Sequence, residues 1–176
     1  MRQFLILGLL LFTGGLFSSM GAEAPESFKA GEFSFKAPKG WKWIQTRSRM
    51  RAAQLEVGEG EGKAEVIFYY FGEGGAGGTD ANVARWLGQF KEPKDKLNSK
   101  VEEMKVGARR TVLVQAEGTY MSGRPVGPKT PKPGSMLFGA IMESSKGNVY
   151  VKMTGSKKTV TGASKAFRGM IEAAMK

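Results

Sequence analysis

Past the first two dozen residues, apolar positions fall into runs of two periods. Phe33-Ser34-Phe35 alternates and stops at the turn Pro38-Lys39-Gly40. Trp41 and Trp43 then share one face of a short strand, with Lys42 on the other. Residues 50–57 read as a third strand, and the glycine-rich stretch 58–62 predicts a hairpin to residues 64–71. There Val66, Ile67, Phe68, Tyr69, Tyr70 and Phe71 are nearly continuous, as in a central strand covered on both faces. The period then changes. Val83, Trp86, Leu87 and Phe90 fall at i, i+3, i+4 and i+7, one apolar stripe of a helix that Thr79 or Asp80 can cap and Glu92-Pro93 ends. Residues 93–103 are polar and show no clear period.

Residues 108–121 resume as a strand around Val112, Leu113 and Val114. The stretch 122–134 holds four prolines, with Arg124, Lys129 and Lys132, and reads as a basic loop that cannot pair in a sheet. Residues 135–143 and 148–154 form a hairpin around Ser145-Lys146-Gly147. A last helix starts near Thr159 or Val160, with Val160, Ala163, Phe167, Met170, Ile171 and Ala174 on its apolar face. Strands joined mostly by short turns are antiparallel. The pattern therefore predicts an α+β fold: a single, mostly antiparallel sheet of about six to seven strands with helices packed on its faces.

Residues 1–22 read as a cleavable signal peptide: Met1-Arg2, an apolar run from Phe4 to Phe17, then small residues. The run is shorter than the roughly 20 residues of a spanning helix. Cleavage is expected between residues 21 and 24, with no transmembrane segment afterwards. Residues 23–176 would form one domain, exported to the periplasm or the medium. The chain carries 27 basic and 16 acidic residues, a net charge of +11, and loss of Arg2 leaves +10. It has neither Cys nor His. Disulfides, thiolate nucleophiles, imidazole ligands and Ser-His-Asp machinery are thereby excluded.

The opening Phe33-Ser34-Phe35-Lys36-Ala37-Pro38-Lys39-Gly40-Trp41 resembles the "F-x-x-P-x-G-W" start of PsbP/Mog1-like domains. Val149-Tyr150-Val151-Lys152-Met153-Thr154-Gly155 and the helix after it resemble that family's last strand and helix. Ser48-Arg49-Met50-Arg51-Ala52-Ala53 and Asn82-Val83-Ala84-Arg85-Trp86-Leu87-Gly88-Gln89-Phe90 are similar to segments of uncharacterised exported bacterial proteins. The resemblance spans most of the mature chain. It implies binding or scaffolding more often than catalysis, and its motifs are structural.

Gly72-Glu73-Gly74-Gly75-Ala76-Gly77 matches G-x-G-x-x-G between a strand and a helix. Gly78 stands where a phosphate-binding loop has its lysine, so a simpler anion at Gly77, Gly78 and Thr79 is the better expectation. Arg47, Arg49 and Arg51 alternate along one strand face, and Arg109 and Arg110 add charge elsewhere. Together they predict a basic surface for an anionic ligand or envelope partner. Nucleic acid is not expected, for want of a recognised motif and because of the export reading. Glu56, Glu59, Glu61 and Glu65 cluster around one hairpin, the only carboxylate set that suggests a glycan or ester hydrolase. Arg124, Lys129 and Lys132 suggest a docking loop instead. The expectation as a whole is an exported, non-catalytic binding or accessory protein with no metal and no cofactor.

Overall fold

The computed structural model describes residues 25–123 and 126–176. The signal-peptide reading of residues 1–22 and the docking residue Arg124 lie outside the described residues.

Among the described residues, nine strands and two α-helices run in the order β1 (Phe28–Ala30), β2 (Phe33–Phe35), β3 (Lys42–Trp43), β4 (Ala53–Val57), β5 (Ala64–Tyr70), α1 (Thr79–Leu87), β6 (Asn98–Val106), β7 (Arg109–Ser122), β8 (Thr130–Met142), β9 (Val149–Ser156) and α2 (Lys157–Ala174). β1 and β2 form a small hairpin. The other seven make one antiparallel sheet in the order β3-β4-β5-β9-β8-β7-β6. The fold is α+β, with one helix on each side of the sheet.

Alternation along the strands sorts side chains between two cores. On the first face Leu55, Val66, Phe68, Phe138, Val151 and Met153 are buried under α2, whose Val160, Phe167 and Ile171 face inward. The β1–β2 hairpin adds Phe33 and Phe35 to the same cluster. Each such fully buried side chain stabilises the fold by about 1.5–3 kcal/mol. On the second face Val112, Val114, Leu137, Ile141 and Tyr150 pack under Trp86 and Leu87 of α1. Trp41 is buried and Trp43 half-buried, its ring edge-on to Phe28.

Three expectations are corrected. Residues 93–103 are not featureless, because β6 begins at Asn98 as the outermost strand. It turns Met104 and Val106 inward while Lys100, Glu103 and Lys105 keep the edge charged, a pattern that protects free edges. The proline stretch does pair: Pro131 lies opposite Met121 and Lys132 opposite Tyr120. Here the β7–β8 ladder outruns β9, whose last pairing to β8 is Ser156 with Ser135, so the other edge of β8 is free and a missing proline N–H costs no ladder bond. Finally, α2 starts at Lys157, because Ser156 is its cap and accepts from Thr159 N at 3.2 Å.

α1 is only nine residues long and ends at Leu87, so Phe90 is buried beyond it rather than on its stripe. The chain after α1 is pinned to the extended part of β7 by Met121 N to Gln89 O (2.8 Å) and Lys91 N to Thr119 O (2.9 Å). Among the described residues, a short α1 leaves the β4–β5 side of the second face without a helix over it. No helix among the described residues is long and apolar enough to cross a membrane.

Candidate functional site

One row of side chains crosses the second face, set by strand register: Gln54 on β4, Ile67 on β5, Lys152 on β9, Gly139 on β8 and Val114 on β7. Trp86 lies over Gly139, so Lys152 sits at the boundary between the covered and uncovered halves. It is the one charged residue in the buried core among the described residues, 8% exposed.

Its Nζ donates to Gln89 Oε1 at 3.1 Å and to Tyr120 Oη at 3.2 Å. Tyr120 Oη in turn donates to Gln89 Oε1 at 3.1 Å, which closes a triangle. The Gln89 oxygen spends both lone pairs this way, and the tyrosine hydroxyl accepts once and donates once. An ammonium has three donors, so one N–H of Lys152 has no acceptor among the described residues, and none of their carboxylates touches the amine. Burial is the main reason its pKa is pushed down to about 8. Glu65 works against that shift through space, and Arg51 adds to it. Burial likewise pushes the Tyr120 hydroxyl up to about 12.

Around this triangle stand Tyr69, Arg51, Gln54 and Glu65. Tyr69 is half-buried, and its hydroxyl has no hydrogen-bond partner among the described residues. Burial raises its pKa above the ordinary value, while Arg51 pulls the other way. Arg51 Nη1 donates to Gln54 Oε1 at 2.6 Å, and Gln54 Nε2 donates to Glu65 Oε1 at 3.3 Å. Among the described residues Arg51 thus keeps most of its five donors free beside the buried amine. Gln54 and Lys152 are two strand spacings apart, about 10 Å, with the buried Ile67 between them.

The sequence-derived residues distribute unevenly. Arg51 belongs to this cluster, whereas Arg47 and Arg49 are exposed on the preceding loop, with no ion-pair partner among the described residues. Arg109 and Arg110 open β7 at the far side of the sheet. Arg109 lies 5.2 Å over the Phe33 ring. Arg110 is ion-paired to Glu103 at 2.8 Å and to Glu143. Thr79 is the first helical residue rather than a cap; its hydroxyl donates to Glu143 Oε1 at 2.7 Å, so Thr79 and Arg110 do meet, on a carboxylate the protein itself supplies. The carbonyls of Ala76, Gly77 and Gly78 converge on the buried Asn82 amide at 2.9, 3.4 and 2.9 Å, and Gly77 O also accepts from Tyr150 Oη. Acceptors turned inward are the reverse of the N–H cradle that a phosphate needs.

Glu56 and Glu65 stand directly opposite each other on β4 and β5, but Glu56 is held by Lys63 at 2.8 Å and Glu65 by Gln54. Glu59 and Glu61 are exposed in the turn. Lys129 and Lys132 are exposed on the β7–β8 arm, where Lys132 lies across the ladder from Tyr120. A groove of about 460 Å³ between α1 and β6 is walled by Val83, Leu87, Val101 and Val112, and its Arg110 and Glu103 already satisfy each other.

Lys152, Gln89 and Tyr120 were not singled out as a site from the sequence. The one available signal was a lysine inside the apolar run Val149–Met153, in register with Tyr150 on the same strand face.

No family model and no curated protein matches this chain. Among solved structures it is similar to a protein of unknown function, PA94, from Pseudomonas aeruginosa. That likeness has 14% identity and a TM-score of 0.44, and it covers 83% of this chain and 92% of the other.

Proposed function

We propose that this is an exported, non-catalytic accessory protein of the cell envelope, of the PsbP/Mog1-like kind, that holds a small anionic ligand or an anionic group of a partner at Lys152. The observation that carries the reading is a buried ammonium held, among the described residues, by neutral oxygens alone, with one donor unspent and Arg51 and the Tyr69 hydroxyl nearby. A buried cation without a counter-charge is costly. An anion arriving at that donor would repay the cost, which a surface lysine would not offer.

The net charge of +11 supports the same reading by attracting anions over long range, and the exposed Arg47 and Arg49 sit on the loop that leads to Arg51. Export is supported by the apolar leader-like stretch.

Thermal-shift and calorimetric titrations with small mono- and dicarboxylates, phosphate, polyphosphate, acidic glycans and anionic vesicles test the proposal. At about 0.15 M salt, screened surface attraction is weak and a built site persists. Saturable binding that disappears in Lys152→Met supports it. No binding by any of these probes, or binding unchanged in that variant, defeats it.

A further inference from the structure

We infer that the ligand of this site is a 2-oxo acid, a carbonyl beside a carboxylate, and that Lys152 captures it covalently as an imine. The inference rests on the reading of Lys152 as the anion site and adds the identity of the anion's neighbouring group.

Lys152 Nζ acts as donor in both of its hydrogen bonds, to Gln89 Oε1 and to Tyr120 Oη. The oxygen of Gln89 is acceptor-only, and the Tyr120 proton is committed to Gln89. When the amine is neutral its two hydrogens therefore stay on these two partners, and the lone pair takes the third, uncommitted direction. The fixed triangle thus aims a nucleophile. An ordinary surface lysine lacks this property, because its ammonium rotates freely in water and is protonated at neutral pH. Burial raises the share of neutral amine here about 300-fold over a lysine titrating at the ordinary 10.5.

The surroundings fit the other half of the ligand. Arg51 offers a planar fork that suits a carboxylate in two-point contact, and one of its donors is engaged among the described residues. The titratable or charged groups facing Lys152 are Tyr120, Tyr69, Glu65 and Arg51. Of these the Tyr69 hydroxyl is without a partner among the described residues and can hydrogen-bond a carbonyl oxygen.

The step balances without a co-reactant. The nitrogen lone pair forms the N–C bond, and the carbonyl π pair moves to oxygen. That oxygen takes the proton the nitrogen loses and forms a carbinolamine. Its C–O bond then breaks as the hydroxyl takes the nitrogen's remaining proton, the nitrogen pair closes the C=N bond, and water leaves. The capture is reversible by the same water.

The test treats the protein with pyruvate or glyoxylate plus sodium cyanoborohydride at pH 7.5, followed by intact-mass measurement and peptide mapping. The expected result is reductive labelling at Lys152 at least about tenfold faster than at any exposed lysine, from its larger neutral share. It should be absent in Lys152→Arg. In Arg51→Met, labelling by pyruvate should fall about tenfold or more, while labelling by acetaldehyde, which has no carboxylate, should fall far less, by the small rise in the Lys152 pKa alone. That comparison does not need a Lys152 variant to fold. Labelling spread evenly over exposed lysines overturns the imine. Calorimetry with lactate, which has the carboxylate but no carbonyl, separates the two claims. Lactate and pyruvate binding alike with no adduct at Lys152 overturns the imine and leaves the anion site standing. Binding by neither removes both.

Discussion

The Trp86 indole lies directly on the α-carbon of Gly139: a Cβ added there would come within 2.2 Å of Cζ3. Trp86 is buried, and Gly139 pairs with Lys152 across β8 and β9. The residue that lets α1 settle onto the sheet is thus the immediate neighbour of the buried amine, and the depth of the helix sets the position of Gln89 just beyond its end.

Gly139→Ala therefore tests the coupling of packing to site. The methyl has nowhere to go, because its neighbour is a rigid ring and not a flexible chain end. Overpacking of this sort costs about 1–3 kcal/mol. Denaturant unfolding should show that loss. Ligand binding should weaken as well, since α1 must lift and carry Gln89 away from Lys152. Intact stability in this variant would mean that α1 is not seated as described.

Lys152 should leave a signature in the pH dependence of stability. Its folded pKa, about 8, lies below the ordinary lysine value of 10.5. Between those values the unfolded chain holds a proton that the folded one has released, so stability rises with pH across that window. The penalty is fully present below pH 8, and it amounts to about 3 kcal/mol for a group this deeply buried. Tyr120 acts oppositely, but only above pH 10. Urea unfolding from pH 7 to pH 10 should thus show a rise in wild type that Lys152→Met flattens. Parallel profiles would contradict the burial of a titrating amine.

Glu143 joins β8 to both α1 and β7. Burial alone would push its carboxyl up, but hydrogen bonds from Thr79 and Arg110 outweigh that and hold it below the ordinary range. A depressed carboxyl contributes stability above its unfolded pKa and loses it as pH falls through the folded one. Glu143→Gln should cost about 1 kcal/mol or less at pH 7, as the groups are partly exposed. It should also soften the loss of stability below pH 4.5. Ligand affinity should stay as in wild type, because this pair is remote from Lys152.

Ser156 anchors α2 through the bond from Thr159 N, and its hydroxyl also donates to Gly62 O at 2.9 Å. Ser156→Ala should destabilise by about 1 kcal/mol, read as a shift in urea midpoint with an unchanged slope.

Much of this architecture is written in local periodicity. The β4–β5 and β8–β9 hairpins and the α2 stripe follow from alternation, glycine turns and the 3.6-residue repeat, because each of these cues lies within one element or one tight turn. β6 escaped because an edge strand must look polar: Lys100, Glu103 and Lys105 hide the alternation of Met104 and Val106. Pro131 misled because whether a proline can sit in a strand depends on which neighbour is missing, a fact of sheet order and not of sequence. Arg51 was legible as a basic residue among others. Lys152 was not legible as a site, because its partners Gln89 and Tyr120 lie 63 and 32 residues away and meet it only through tertiary packing.

The central claim is that anions are recognised at a built site and not by diffuse charge. The most direct measurement is a backbone amide NMR titration of the folded domain with pyruvate and with lactate at about 0.15 M salt. The account predicts saturable shifts concentrated at Arg51, Gln54, Tyr69, Gln89, Tyr120 and Lys152. Small, linear shifts scattered over Arg47, Arg49 and the exposed lysines, with those six unmoved, would contradict it.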